Sequence, residues 1–177
     1  IFSIDGQPVK TEQSMIIIPD GGIELIKSFD LVIIPGWDDF NHKPEESLIE
    51  GLNQAYQKGI KIVGLCCGTY ALAYSGLLKN KKAATHWMAE QDFSERFPDI
   101  KLDRDALYVE DQRIITSAGT GAALDCCLYL VREMYNAQIA NKVSRVMVIP
   151  PHREGGQAQF IEQPIANSSQ DAQINVL

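Results

Sequence analysis

The chain has no apolar run near the ~20 residues that a bilayer-spanning helix needs. Ile1 to Lys10 carry no basic start followed by an apolar stretch, so they do not read as a secretory signal. The sequence opens on Ile1 rather than Met, which predicts that the natural N-terminus lies upstream. Positive charge is scarce: 16 Lys and Arg stand against 23 Asp and Glu, for a net charge of -7 and a pI of about 4.9. Nucleic-acid-binding domains usually carry a basic patch. The densest basic cluster here is Lys79, Lys81 and Lys82, which reads as a solvated turn. This stretch is therefore not expected to hold DNA by itself. Cysteine is also sparse, with 4 residues in two adjacent pairs, Cys66-Cys67 and Cys126-Cys127. No C-x-x-C spacing aims two thiolates at one ion, and neighbouring residues of regular backbone point to different faces. No metal site, no cofactor and no disulfide framework are expected, and a reducing cytoplasm fits best. There is no internal repeat.

What remains is an ordinary globular composition, 45% hydrophobic and 22% charged over 177 residues, enough for one sizeable core. Short apolar runs alternate with longer segments of helical period. Met15 to Pro19, Asp30 to Pro35 and Ile60 to Cys66 read as buried strands. Lys82 to His86, Asp105 to Val109 and Arg113 to Thr116 read as further short strands. Helices are predicted over Gly22 to Ser28, Pro44 to Lys58, Thr69 to Leu78, Ala89 to Phe97, Gly121 to Tyr135 and Ala137 to Met147. This alternation predicts an α/β fold with a mainly parallel sheet covered on both faces. After Pro150-Pro151 the chain turns polar, and Gln163 to Gln173 reads as a linker. Asp171 to Leu177 could open a further helix.

The segment Val63-Gly64-Leu65-Cys66-Cys67-Gly68-Thr69-Tyr70 concentrates the chemistry. A buried strand ends at Cys66 and a helix follows at once. Such a corner is tight and lifts its side chain above the sheet edge. The following helix start favours a thiolate there. Gly68 removes a Cβ where helix and strand must come close. The Cys67 N–H is a natural donor to an oxyanion. A second corner, Pro35-Gly36-Trp37, follows "DLVII". Sites in open α/β sheets form at the carboxyl ends of strands, so the two corners are expected to face one pocket. Gly36 or Trp37 would supply a second N–H there, with Trp37 as a wall. Thr85-His86-Trp87 could bring His86 beside Cys66 as a base or hydrogen-bond partner. A plainer reading stands beside each of these: cysteine is a common core residue, and tryptophan more often packs than binds. Cys67 and Cys126-Cys127 read as core, His42 as solvent-facing, and Arg153 as part of a salt-bridged loop.

Four blocks carry a resemblance: "DLVIIPGWDD", "IVGLCCGTYALAYSGLLKNKKAATHW", "RFPDIKLDRDALYVEDQRIITSAGT" and "IANKVSRVMVIPPHREGGQAQFIEQPI". In order and content they resemble the ThiJ/PfpI-like (class I glutamine amidotransferase-like) sensor half of AraC/XylS-type transcription regulators. The resemblance implies a flavodoxin-like three-layer sandwich. It implies that residues 1–165 form this domain, without the strand and helix that usually open it, and that 166–177 lead toward a helix-turn-helix domain. Cys66 would match the family's elbow cysteine, His86 a histidine near it, and the Trp37 and Cys67 amides the oxyanion-type donors. The sequence departs from the usual pattern at Cys67, commonly Ser or Thr in this subgroup, and at Gly36-Trp37, where superfamily enzymes often have Gly-Gly.

The expected function is ligand sensing and dimerisation. A small-molecule effector would bind near Cys66, Gly36, Trp37, Cys67 and Gly68, and DNA would be contacted through a separate C-terminal domain by a homodimer, with no membrane partner. The alternatives are a cysteine-dependent hydratase or amidase acting through Cys66 and His86, and a redox or electrophile sensor at Cys66.

Overall fold

Two continuous apolar runs, "LVII" and "KIVGL", set the centre of the architecture. The computed structural model describes residues 1–11, 14–156 and 159. In chain order the strands are β1 (Val9–Lys10), β2 (Ile16–Ile17), β3 (Leu31–Ile34), β4 (Lys61–Leu65), β5 (Lys82–Ala83), β6 (Lys101–Leu102), β7 (Tyr108–Asp111) and β8 (Ile114–Ser117). The α-helices are α1 (Glu46–Gln57), α2 (Thr69–Tyr74), α3 (Glu90–Arg96), α4 (Thr120–Met134) and α5 (Ala137–Met147). The central sheet has the order β3-β4-β8-β7. Its first three strands are parallel, with Ile33 beside Val63 and Val63 beside Ile115, while β7 returns antiparallel to β8.

Alternate residues of a strand face opposite sides of a sheet, and here both sides are covered. Ile62 joins Val32, Ile34 and Ile114 under α1 and α2, where Leu48, Leu52 and Leu72 complete one core. Val63 joins Ile115 on the other side, against Ala122, Cys126 and Leu130 of α4. Double coverage is why these strands read as unbroken apolar runs rather than alternating ones. The α/β sandwich with a mainly parallel central sheet is therefore as the sequence predicts. Among the described residues no helix is long and apolar enough to cross a membrane.

Several boundaries differ from the sequence reading. The helix expected to reach Leu78 stops at Tyr74, because Gly76 takes a left-handed φ of 78° and the Ser75 hydroxyl donates to the Leu72 carbonyl. The strand expected over 82–86 is regular only at Lys82–Ala83, where it pairs with β6. Beyond it the Ala84 N–H bonds the Thr116 side-chain hydroxyl of β8 instead of a strand backbone. The run Met15 to Pro19 is not buried: Ile16 is 67% exposed, because β2 pairs only with β1 in a hairpin separate from the central sheet. The linker over 163–173, the further helix from Asp171 and the boundary at 165 lie outside the described residues.

Candidate functional site

Cys66 follows β4 directly and takes a left-handed φ of 54°. This backbone region is unfavourable for a residue with a side chain and costs roughly 1–3 kcal/mol unless its surroundings enforce it. The surroundings here are specific. Thr69 N–H bonds the carbonyls of Cys66 and Cys67, closing a 3-10 turn over Cys66–Gly68. The Thr85 hydroxyl donates to the Cys66 carbonyl at 3.2 Å, and the Thr69 hydroxyl donates to the Ala84 carbonyl at 3.0 Å. Two threonines thus clip the turn to the segment that follows β5.

Gly68 makes the second corner part of the same site. A Cβ built there would lie 2.2 Å from the Ile34 carbonyl oxygen and 3.2 Å from the Gly36 nitrogen. Only glycine lets the turn approach the end of β3 so closely. The result is a cleft of about 600 Å³ lined by Pro35, Gly36, Trp37, Asp38, Cys66 and Cys67. Trp37 is fixed by its indole N–H, which donates to the His42 carbonyl at 2.8 Å, and by a stacked His42 ring. The loop carrying this contact is anchored in turn. Tyr74 donates to the Phe40 carbonyl at 2.7 Å, and Arg96 bonds Asn41 while pairing with Asp92, which also accepts from Tyr70 at 2.8 Å.

The Cys66 thiol donates to the Cys67 sulfur at 3.8 Å. Burial, and then the neighbouring Cys66, push the Cys67 thiol up to about 12. Cys67 packs against the core below the cleft while still lining it.

His86 is placed elsewhere. It caps the 3-10 turn Trp87–Ala89, and its Nδ1 accepts from the Met88 N–H at 3.2 Å, which leaves Nε2 to carry the proton of the neutral ring. Its ring lies over Gly119, where a Cβ would come within 2.1 Å of Cδ2. His86 lines a separate cavity of about 250 Å³ with Leu107, Gly119, Thr120 and Arg153. Arg153 pairs with the buried Asp125 of α4, donating from Nε at 2.9 Å.

The structure therefore brings Gly36, Trp37, Cys66 and Cys67 together, sets Gly68 beneath them, and gives His86 a different cavity. Sequence reasoning did not single out Asp38 as a lining residue, Thr85 as the clip, or the Tyr70–Asp92–Arg96 network. Thr85 had one available signal, its place beside His86 in "ATHW".

Comparison with known proteins adds the following. The model of the DJ-1/PfpI family matches residues 1–133. The HTH-type transcriptional regulator CdhR of Pseudomonas aeruginosa is 30% identical over 149 residues, covering 84% of this chain and 44% of that protein. The HTH-type transcriptional regulator ArgR of the same organism is 37% identical over 116 residues, covering 66% of this chain and 34% of that protein. The chain thus spans less than half the length of these relatives. Among solved structures, an AraC family transcriptional regulator from Pseudomonas putida superposes with a TM-score of 0.70 at 23% identity, covering 82% of this chain and 78% of that chain.

Proposed function

From a chain that belongs to the DJ-1/PfpI family, and whose relatives include longer transcription regulators, we infer the sensing domain of an AraC-type regulator. A small-molecule effector binds in the cleft between the two corners, against Gly36, Trp37, Cys66, Cys67 and Gly68. The protein acts as a cytoplasmic homodimer. Its DNA contacts lie in a helix-turn-helix domain beyond residues 166–177, since a net charge of -7 suits a sensor and not a DNA grip.

The observation that carries this reading is the regulator match over 84% of the chain. The geometry of the thiol agrees with it. Among the described residues the hydrogen-bond partner of the Cys66 thiol is another thiol, and the histidine named as its base lines a different cavity. A cleft that binds without turnover needs no base. An effector shifts the DNA-binding equilibrium only by its differential affinity for the two states.

The test is a metabolite screen on the full-length protein. An effector held at about 100 times its Kd stabilises the domain by about 2.7 kcal/mol, a rise in Tm of roughly 5–10 °C for a chain of this size. That rise should vanish in Trp37→Ala, and the same compound should change affinity for promoter DNA in a mobility-shift assay. A full-length protein that binds no specific DNA with or without any metabolite refutes the reading.

A further inference from the structure

Adjacent cysteines on regular backbone cannot share a ligand: on a strand they face opposite sides, and on a helix they diverge by about 100°. At the elbow this rule is broken. The left-handed φ of Cys66 and the 3-10 turn that follows bring the two sulfurs to 3.8 Å, and both line the same cleft. The distance discriminates between chemistries. A disulfide needs about 2.05 Å, so an internal bond would require the sulfurs to close by a further ~1.7 Å from their 3.8 Å separation. Two thiolates bound at ~2.3 Å to one three-coordinate, pyramidal soft centre, with an angle near ~95° between them, stand about 3.4 Å apart, so chelation asks the 3.8 Å pair to close by only ~0.4 Å. Chelation of one such centre therefore needs a smaller movement than disulfide formation.

The number of donors narrows the ligand. Among the described residues no group of three or more His, Cys, Asp or Glu side chains is placed to hold a metal ion. Cys66 and Cys67 are the two soft donors of the cleft, and among the described residues no third side chain completes a metal-holding set with them. An organic arsenic(III) centre needs only two, because carbon already fills its third position. Trp37 stands in the same cleft and gives an aryl or alkyl substituent an apolar wall.

We propose that Cys66 and Cys67 form a dithiol site that captures organic arsenicals of the type R–As(OH)2, with the substituent R against Trp37. Two S–H bonds and two As–O bonds break, and two As–S bonds form. Each proton leaves with a hydroxide as water, and arsenic remains trivalent, so no oxidant or reductant takes part. Because the proton departs with the leaving hydroxide, the half-buried Cys67 thiol need not ionise beforehand. The other adjacent pair cannot act this way. Cys126 and Cys127 sit on regular α4, Cys126 is fully buried, and its thiol is pushed up to about 12, chiefly by burial. The site is a property of the elbow turn and stands whether or not the domain regulates transcription.

Phenylarsine oxide, which hydrates to this form, is the probe. Incubated with the 177-residue chain and analysed by intact and peptide mass spectrometry, it should add one phenylarsenic unit with loss of two hydrogens, on the peptide holding Cys66 and Cys67. The adduct should resist excess glutathione and be removed by 2,3-dimercaptopropanol. Cys66→Ala and Cys67→Ala should each lower retention in glutathione by about 10²-fold, because the second bond is no longer intramolecular. Cys126→Ala and Cys127→Ala should leave it unchanged. Peptide mapping on the unaltered protein decides the matter even if a variant fails to fold. A wild-type adduct stripped by glutathione, or one mapped to the Cys126-Cys127 peptide, overturns the proposal.

Discussion

Gly68→Ala sets two effects of opposite sign against each other. Gly68 has φ -58° and ψ -19°, a helical backbone in which alanine is favoured over glycine by about 0.5–1 kcal/mol. Local propensity alone therefore predicts stabilisation. Packing predicts the reverse. The new methyl would lie 2.2 Å from the Ile34 carbonyl oxygen, where the closest ordinary carbon–oxygen contact is about 3.3 Å, so the two must separate by roughly 1.1 Å. The obstacle is backbone, held in register by β4, and cannot rotate aside. Overpacking of this kind costs about 1–3 kcal/mol, so the net expectation is destabilisation by about 1–2 kcal/mol. In urea this lowers the midpoint by roughly 0.5–1 M with an unchanged slope. Two further glycines calibrate the result. Gly36 has open space where its Cβ would be and no positive φ, so Gly36→Ala should move stability by less than about 0.5 kcal/mol. Gly59 has equally open space but a φ of 90°, so Gly59→Ala should cost about 1 kcal/mol from backbone conformation alone. A Gly68→Ala protein as stable as wild type, or more so, refutes the claim that close approach of the two corners fixes this residue.

Three other expectations follow from the side chains. Asp125→Ala should destabilise by about 1 kcal/mol in urea melts, a modest value because Arg153, which it leaves unpaired, is 42% exposed. Asp92 is held below the usual carboxylate range, first by Arg96. A depressed folded pKa gives stability that is present above the unfolded value of ~3.9 and lost as pH falls through the folded one. Asp92→Asn should therefore flatten the acid limb of a plot of urea midpoint against pH below about 5. Since burial pushes both Cys67 and Cys126 up to about 12, pulsed iodoacetamide labelling with peptide mapping at pH 8 should leave both largely unmodified in the folded protein. Rapid labelling of Cys67 would contradict its placement against the core.

The elements that could be read from sequence are those whose pattern is set locally or by double burial. "LVII" and "KIVGL" are apolar throughout because cores press on both faces, and that requirement is visible in the residues themselves. The elbow was legible because a strand ending in cysteine and glycine leaves little choice of turn. What could not be read depends on contacts distant in sequence. His86 follows a two-residue strand closely enough to suggest proximity to Cys66, yet its direction is decided by Gly119, more than thirty residues later. The run "MIIIP" has the composition of a core strand, and its exposure follows only from the hairpin it joins. The convergence of the two elbow thiols ran against the alternation rule for adjacent residues. It appears only once the left-handed backbone at Cys66 is known.

The parallel pairing of β4 with β8 also bears on when the site comes into existence. Ile62 lies beside Ile114, so this register closes a loop of 52 residues (114 minus 62). Closing such a loop carries an entropic term of about 3.5 kcal/mol before any of its contacts can repay it. Pairings of this kind belong to slow-folding topologies. The Thr116 hydroxyl of β8 can accept from the Ala84 N–H, and so steady the segment whose Thr85 clips the Cys66 carbonyl, only after that register is made. The clipped form of the elbow is therefore a late event in folding. Chemistry that depends on the clipped turn matures only with the central sheet.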